Sequence, residues 1–123
     1  AAIGSAITAA AAGCIDVGAH SASHRVLPIL SDAEIETEVN PSRDVIYRAC
    51  GVWPEFFAYP YGLWDSRSRA AVRRAGYLGG LSLDLGLNDA VSDTSCLRRV
   101  NVPAGISAPA FEAWAAGLWL RRS

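Results

Sequence analysis

The sequence predicts one α/β domain spanning residues 1–123, with mainly parallel strands and flanking helices. Two observations carry this reading. Short β-prone runs alternate with helix-patterned stretches along the whole chain, which favours a parallel sheet with helices packed on it. A chain of 123 residues, half of them apolar, is also long enough to bury roughly two-thirds of the surface its unfolded form exposes. No internal repeat or low-complexity linker divides it.

The elements follow in order. Ala1 to Gly13 is uncharged and Ala-rich; Ser5 as a cap, Ala6 to Ala12 as good helix formers and Gly13 as a stop predict a first helix. It lacks the basic flank of a signal peptide and is too short to span a membrane. Ile15 and Val17 alternate with Asp16 and Gly18, the pattern of a short strand. Leu27-Pro28-Ile29-Leu30 turns into a helix opened by Ser31 and Glu34, a capping box. Ile35, Val39, Ile46 and Ala49 continue its apolar stripe, and Asn40-Pro41 predicts a sharp kink or two helices end to end, finishing near Cys50-Gly51.

Phe56, Phe57 and Tyr59 predict a second strand, ended by Pro60, which has no N–H to give. Asp65 caps a helix through Ala75, with Arg73 and Arg74 at the negative end of its dipole and Gly76 as its stop. Tyr77 to Leu83 reads as a strand, Asp84 to Ser95 as a loop and Leu97 to Val102 as a strand. Ser107 caps a last helix with Phe111, Trp114, Ala115, Leu118 and Trp119 on one face.

Composition excludes several functions. The formal net charge is −1, and the basic residues, all Arg, are spread rather than blocked, so no nucleic-acid surface is expected. No transmembrane segment is expected either. Cys14, Cys50 and Cys96 are far apart and odd in number, so they form neither a disulfide framework nor a metal-binding pair motif.

The chemistry concentrates in two blocks. His20 and His24 are the only histidines, spaced i, i+4, with small residues between them at the end of a predicted strand. One helical turn would set both rings on one side, where neutral imidazoles suit Zn, Cu, Fe or Ni. The same spacing also arises by chance, with both rings merely exposed. The second block is Tyr59-Pro60-Tyr61, at the end of another strand. Ligand sites in parallel α/β architectures lie at the carboxyl ends of strands, so both blocks point to one rim. Trp53, Tyr59, Tyr61 and Trp64 offer rings that stack on sugars or fill a core.

Asp16 to His24 and Phe57 to Gly62, with the later Arg74-Ala75-Gly76-Tyr77 and Leu97-Arg98-Arg99-Val100 runs, resemble polysaccharide deacetylases of the NodB-homology type (carbohydrate esterase family 4). The resemblance runs from about Gly13 to Val102. It implies a partial, distorted (β/α) barrel and metal-dependent hydrolysis of N- or O-acetyl groups on a carbohydrate. His20 and His24 match the family's metal-ligand histidines, with zinc the expected ion. Tyr61 matches the residue whose backbone N–H holds the oxyanion, and Pro60 and Gly62 shape that turn. Tyr59, Pro60, Trp64 and Arg99 are the implied substrate contacts. Such enzymes are often secreted or lie at the cell envelope, although no signal peptide is read in this chain.

The sequence also departs from the pattern. No Asp precedes Asp16, so the Asp-Asp block that supplies the family's base and third ligand is missing, as is the late histidine that serves as general acid. An Arg frequent in the second block is replaced by Ala58. The strands are too few to close a barrel, so the chain corresponds to the later part of such a domain, its opening strands missing. Three readings follow: a metal-dependent deacetylase, weak or inactive alone; an inert relative that binds metal or glycan; or a structural domain whose exposed sheet edge is covered by a homo-oligomer.

Overall fold

Helix α1, Asp32–Cys50, organises the rest of the structure, a computed structural model that describes residues 12–118. Its start is the expected capping box: the Ser31 hydroxyl accepts from the Glu34 N–H while the Glu34 carboxylate accepts from the Ser31 N–H. Its end is Gly51 in the left-handed region, where an L side chain would be strained. The expected break at Asn40-Pro41 does not occur, and Pro41 lies inside one continuous helix. Proline removes only a single intrahelical bond here, while Ile35 and Val39 before it and Arg43 after it are all buried. Packing on both sides of the proline outweighs the local defect.

Strand β1, Phe56–Ala58, and strand β2, Gly79–Leu81, pair in parallel with Phe57 opposite Gly80. Between them runs α2, Ser66–Arg74, capped by Asp65 as expected and packed against α1. Single residues extend the ladder on both flanks, Ala19 bridging to Phe57 and Leu97 to Leu81, both in parallel. Four segments therefore lie side by side in chain order, which is the connectivity of a (β/α) barrel sector.

The strands are shorter than the sequence suggests. Residues 15–17 form none: the Asp16 carboxylate accepts the Val17 N–H that a ladder would have used. After Leu81 one more ladder bond follows, from the Ser82 N–H to the Leu97 carbonyl, and the Ser82 hydroxyl then shares that carbonyl and takes the Asp84 N–H. Past Leu97 the backbone pairs with a side chain instead of a strand, since the Asn88 amide accepts from the Arg98 N–H and donates to the Arg98 carbonyl. In each case a nearby polar side chain competes for the same backbone group. The expected helix at Ala6 to Ala12 lies outside the described residues, except that Ala12 and Gly13 form a turn.

The core sits between α1, α2 and β1, where Leu27, Ile35, Val39, Phe57, Tyr59, Ala71, Val72 and Tyr77 are buried. Two arginines lock its margins. Arg43 donates to the carbonyls of Pro54 and Ala75, tying α1 to the approach of β1 and the end of α2. Arg67, on α2, donates to the carbonyls of Pro28 and Leu30 and to Asp32 and Asp65. It thereby fastens the 3-10 turn Leu27–Ile29 that precedes α1. Helix α3, Ala108–Ala115, starts at the expected Ser107 cap but buries none of its residues. Cys14, Cys50 and Cys96 are free thiols, and no helix among the described residues is long and apolar enough to cross a membrane.

Candidate metal centre

The site begins where Ala19 joins the sheet. Its N–H donates to the Phe56 carbonyl at 2.9 Å and its carbonyl accepts from Ala58 at 2.8 Å, so the next residue, His20, leaves the sheet from a fixed point. The His20 Nδ1 lies 2.7 Å from the Ala58 carbonyl. A carbonyl can only accept, so Nδ1 carries the proton and the neutral ring presents the lone pair of Nε2.

His24 returns to the same place by a turn that is not helical. Ser21 and His24 both have positive φ, 68° and 59°, and the Ser21 hydroxyl accepts the His24 N–H at 2.9 Å. The helical turn expected between the histidines is thus replaced by a tighter, strained one that still brings the rings together. Their Nε2 atoms are 2.9 Å apart. The Tyr61 ring lies edge-on to His24, with centroids 4.6 Å apart.

Ser21, His24 and Tyr61 are the positive-φ residues other than glycine among those described, and all three belong to this rim. Such backbone costs about 1 kcal/mol or more per residue and persists where the surroundings impose it, most often at functional sites. At Tyr61 the next residue explains how it is imposed. Gly62 also has positive φ, and a β-carbon there would fall 2.5 Å from Leu83 Cβ, so only glycine lets the turn press against the end of β2.

The donor pair fits a metal. Ligand bonds of about 2.0–2.1 Å at angles from right to tetrahedral place two nitrogens about 2.9–3.4 Å apart, and His20 is oriented through its other nitrogen as metal-bound imidazoles are. In the absence of a cation, the same spacing is a hydrogen bond from His24 Nε2–H to His20. Among the described residues, no group of three or more His, Cys, Asp or Glu is placed to hold an ion.

Glu38 is the residue the sequence did not single out. Its carboxylate, 5% exposed, accepts the Ser23 N–H at 2.8 Å and the Ser23 hydroxyl at 2.5 Å. Burial pushes its pKa up, but the bonds from Ser23, with Ala22 and the Arg25 charge, outweigh this and hold it below the ordinary value. The available signal was a carboxylate on the buried stripe with Ile35 and Val39, where a solvated acid does not belong.

The other expected contacts divide. Tyr61 is on the rim and 60% exposed. Tyr59 and Pro60 are buried: the Tyr59 ring packs on Phe57 and its hydroxyl donates to the Ser95 carbonyl. Burial also pushes the Tyr59 pKa well up, so it stays neutral. Trp64 donates to Asp84 at 2.6 Å beside a cavity of about 520 Å³, also lined by Asn88, Asp93 and Arg98. Arg99 donates to the Ser82 carbonyl.

A family model, polysaccharide deacetylase, matches residues 5–80. Chitin deacetylase 1 of Saccharomyces cerevisiae is 37% identical over 60 residues, 49% of this chain and 20% of the yeast protein. Among solved structures, a family 4 carbohydrate esterase from Streptomyces lividans in complex with acetate superimposes with a TM-score of 0.57 at 26% identity, covering 63% of this chain and 40% of that one. IcaB from Ammonifex degensii reaches a TM-score of 0.76 at 22% identity, covering 92% and 52%. The chain spans only a fifth of the yeast protein and about half or less of these structures. With the matched model covering both histidines and the tyrosine turn, the chain belongs to the polysaccharide deacetylase family and has a partial NodB-type fold.

Proposed function

We propose that this chain carries the metal-binding rim of a carbohydrate deacetylase, with His20 and His24 as two ligands of a divalent ion, zinc in the first instance. The observation that supports it is the convergence of the two Nε2 atoms at 2.9 Å, with His20 oriented by the Ala58 carbonyl. Bound zinc supplies Lewis acidity to an acetyl carbonyl. The chain's own residues do the rest. His20 keeps its proton on Nδ1 and offers the opposite lone pair. The turn at Tyr61 sets a backbone N–H to receive the developing oxyanion at no reorganisation cost. The exposed Tyr61 ring provides a surface against which a sugar can lie.

A second reading is that these 123 residues bind metal or glycan without turnover. It is favoured by the lack of a third ligand among the described residues, since hydrolytic zinc sites use three protein ligands.

The test is acetate release from an N-acetylated chito-oligosaccharide with added zinc or cobalt, alongside metal titration of the chain. Metal binding with acetate release, both lost in His20→Ala, establishes the first reading. Metal or oligosaccharide binding without acetate establishes the second. Full activity in His20→Ala would eliminate the assigned role.

A further inference from the structure

We propose that Glu38 is the positioning residue of the histidine pair, acting through Ser23. This rests on the metal-binding reading of His20 and His24. The connection between the imidazoles is Ser21-Ala22-Ser23, and its first residue, Ser21, and the residue that follows it, His24, lie in the left-handed region. Across it the Ser21 hydroxyl accepts the His24 N–H, which leaves the donors of Ala22 and Ser23 to be held from outside. One residue of α1 collects its donors: the Glu38 carboxylate accepts the Ser23 N–H and hydroxyl, and the Glu38 backbone carbonyl accepts the Ala22 N–H at 3.0 Å.

Three donors from two adjacent residues thus converge on a single helical position. Glu38 is itself immobile, because it is buried next to Val39, and α1 is anchored by Arg43 and begins beside the turn that Arg67 fastens. His24 follows Ser23 directly. Its ring has Tyr61 and His20 as neighbours, and its N–H is bound by the Ser21 hydroxyl, so its backbone hangs on the segment that Glu38 holds. The distance between the two ligand nitrogens is therefore set from the helix, by a carboxylate that touches neither imidazole. Reaching-back groups of this kind change metal affinity without being ligands.

The experiment compares the unaltered chain with Glu38→Ala, Glu38→Gln and Ser23→Ala, and with Val72→Ala as a control that loosens the core from α2. Three readouts are taken: amide hydrogen exchange, the nuclear Overhauser effect between the His20 and His24 rings, and cobalt titration followed by visible absorption. In Glu38→Ala, exchange at Ala22 and Ser23 should rise at least about tenfold above that of α1, although the acceptor of Ala22 is a backbone carbonyl the change leaves in place. The ring-to-ring signal should vanish and cobalt binding weaken by about 10- to 100-fold. Glu38→Gln, which retains one acceptor and gains a donor for the Ser23 hydroxyl, should recover most of the loss. Val72→Ala should leave all three readouts unchanged.

Persistent protection of Ala22, or a retained ring-to-ring signal in Glu38→Ala, overturns the proposal. So does cobalt affinity that falls equally in Val72→Ala. If Glu38→Ala does not fold, Ser23→Ala, which removes one of the three donors, decides by the same signs. Absence of cobalt uptake by the unaltered chain would defeat the metal reading, yet the exchange and ring signals would still decide the role of Glu38.

Discussion

The Arg43 guanidinium lies over the ring of Tyr77, its central carbon 4.6 Å from the ring centroid. The Trp53 ring lies at the same distance, and Nε and one terminal nitrogen donate to the Pro54 and Ala75 carbonyls. A planar cation against two rings, holding two carbonyls, is geometry that an ammonium group cannot copy. Arg43→Lys should therefore destabilise the chain by about 2–4 kcal/mol, since it leaves a buried carbonyl without its donor. Urea denaturation followed by tryptophan fluorescence measures this. A loss below about 1 kcal/mol would show that the lysine finds equivalent partners.

Tyr61 combines an exposed ring with φ of 58°. Tyr61→Gly removes the backbone strain and should leave stability unchanged or raise it by about 1 kcal/mol, whereas Tyr61→Ala keeps the strain and gains nothing. Thermal denaturation of the two variants side by side checks the difference. If both behave alike, the left-handed turn is not strained in solution.

Asp93 gives the acid side of the stability profile. It caps the 3-10 turn Thr94–Cys96 and pairs with Arg69 and Arg73. The hydroxyl and N–H of Ser95, helped by the two arginines and opposed by burial, bring its pKa down to about 2. A carboxyl held below its ordinary value stabilises the fold when ionised, so its contribution is complete above about pH 4 and lost as pH falls towards 2. Asp93→Asn should lower stability at pH 7 by about 1–2 kcal/mol, allowing for screening by solvent, and converge with the unaltered chain near pH 2. Thermal melts across that range test both the sign and the window.

Much of the fold was legible because caps are local. Ser31 with Glu34, Asp65 with Ser68, and Ser107 each satisfy helix-terminal N–H groups within a turn, and each helix starts there. Strand lengths were not legible. Asp16, Ser82 and Asn88 take the N–H groups of Val17, Asp84 and Arg98 through side-chain bonds, and Asn88 does so across ten residues, beyond the reach of a periodicity argument. At the site, the histidine pair was read correctly as a convergence but for the wrong backbone, because left-handed φ at Ser21 and His24 is a tertiary demand that neither residue type announces. The sequence left Tyr59 open between core and sugar contact because its pocket is made by Gly80, where any β-carbon would sit 2.7 Å from the Tyr59 hydroxyl.

Arg67 stands far along the chain from either imidazole, yet it clasps the stretch that feeds the histidine turn into α1. An exhaustive mutational survey scored on the spacing of the two imidazoles would accordingly flag a position that touches neither ring. The fault would be transmitted mechanically, as a slackened hinge misaligns a latch.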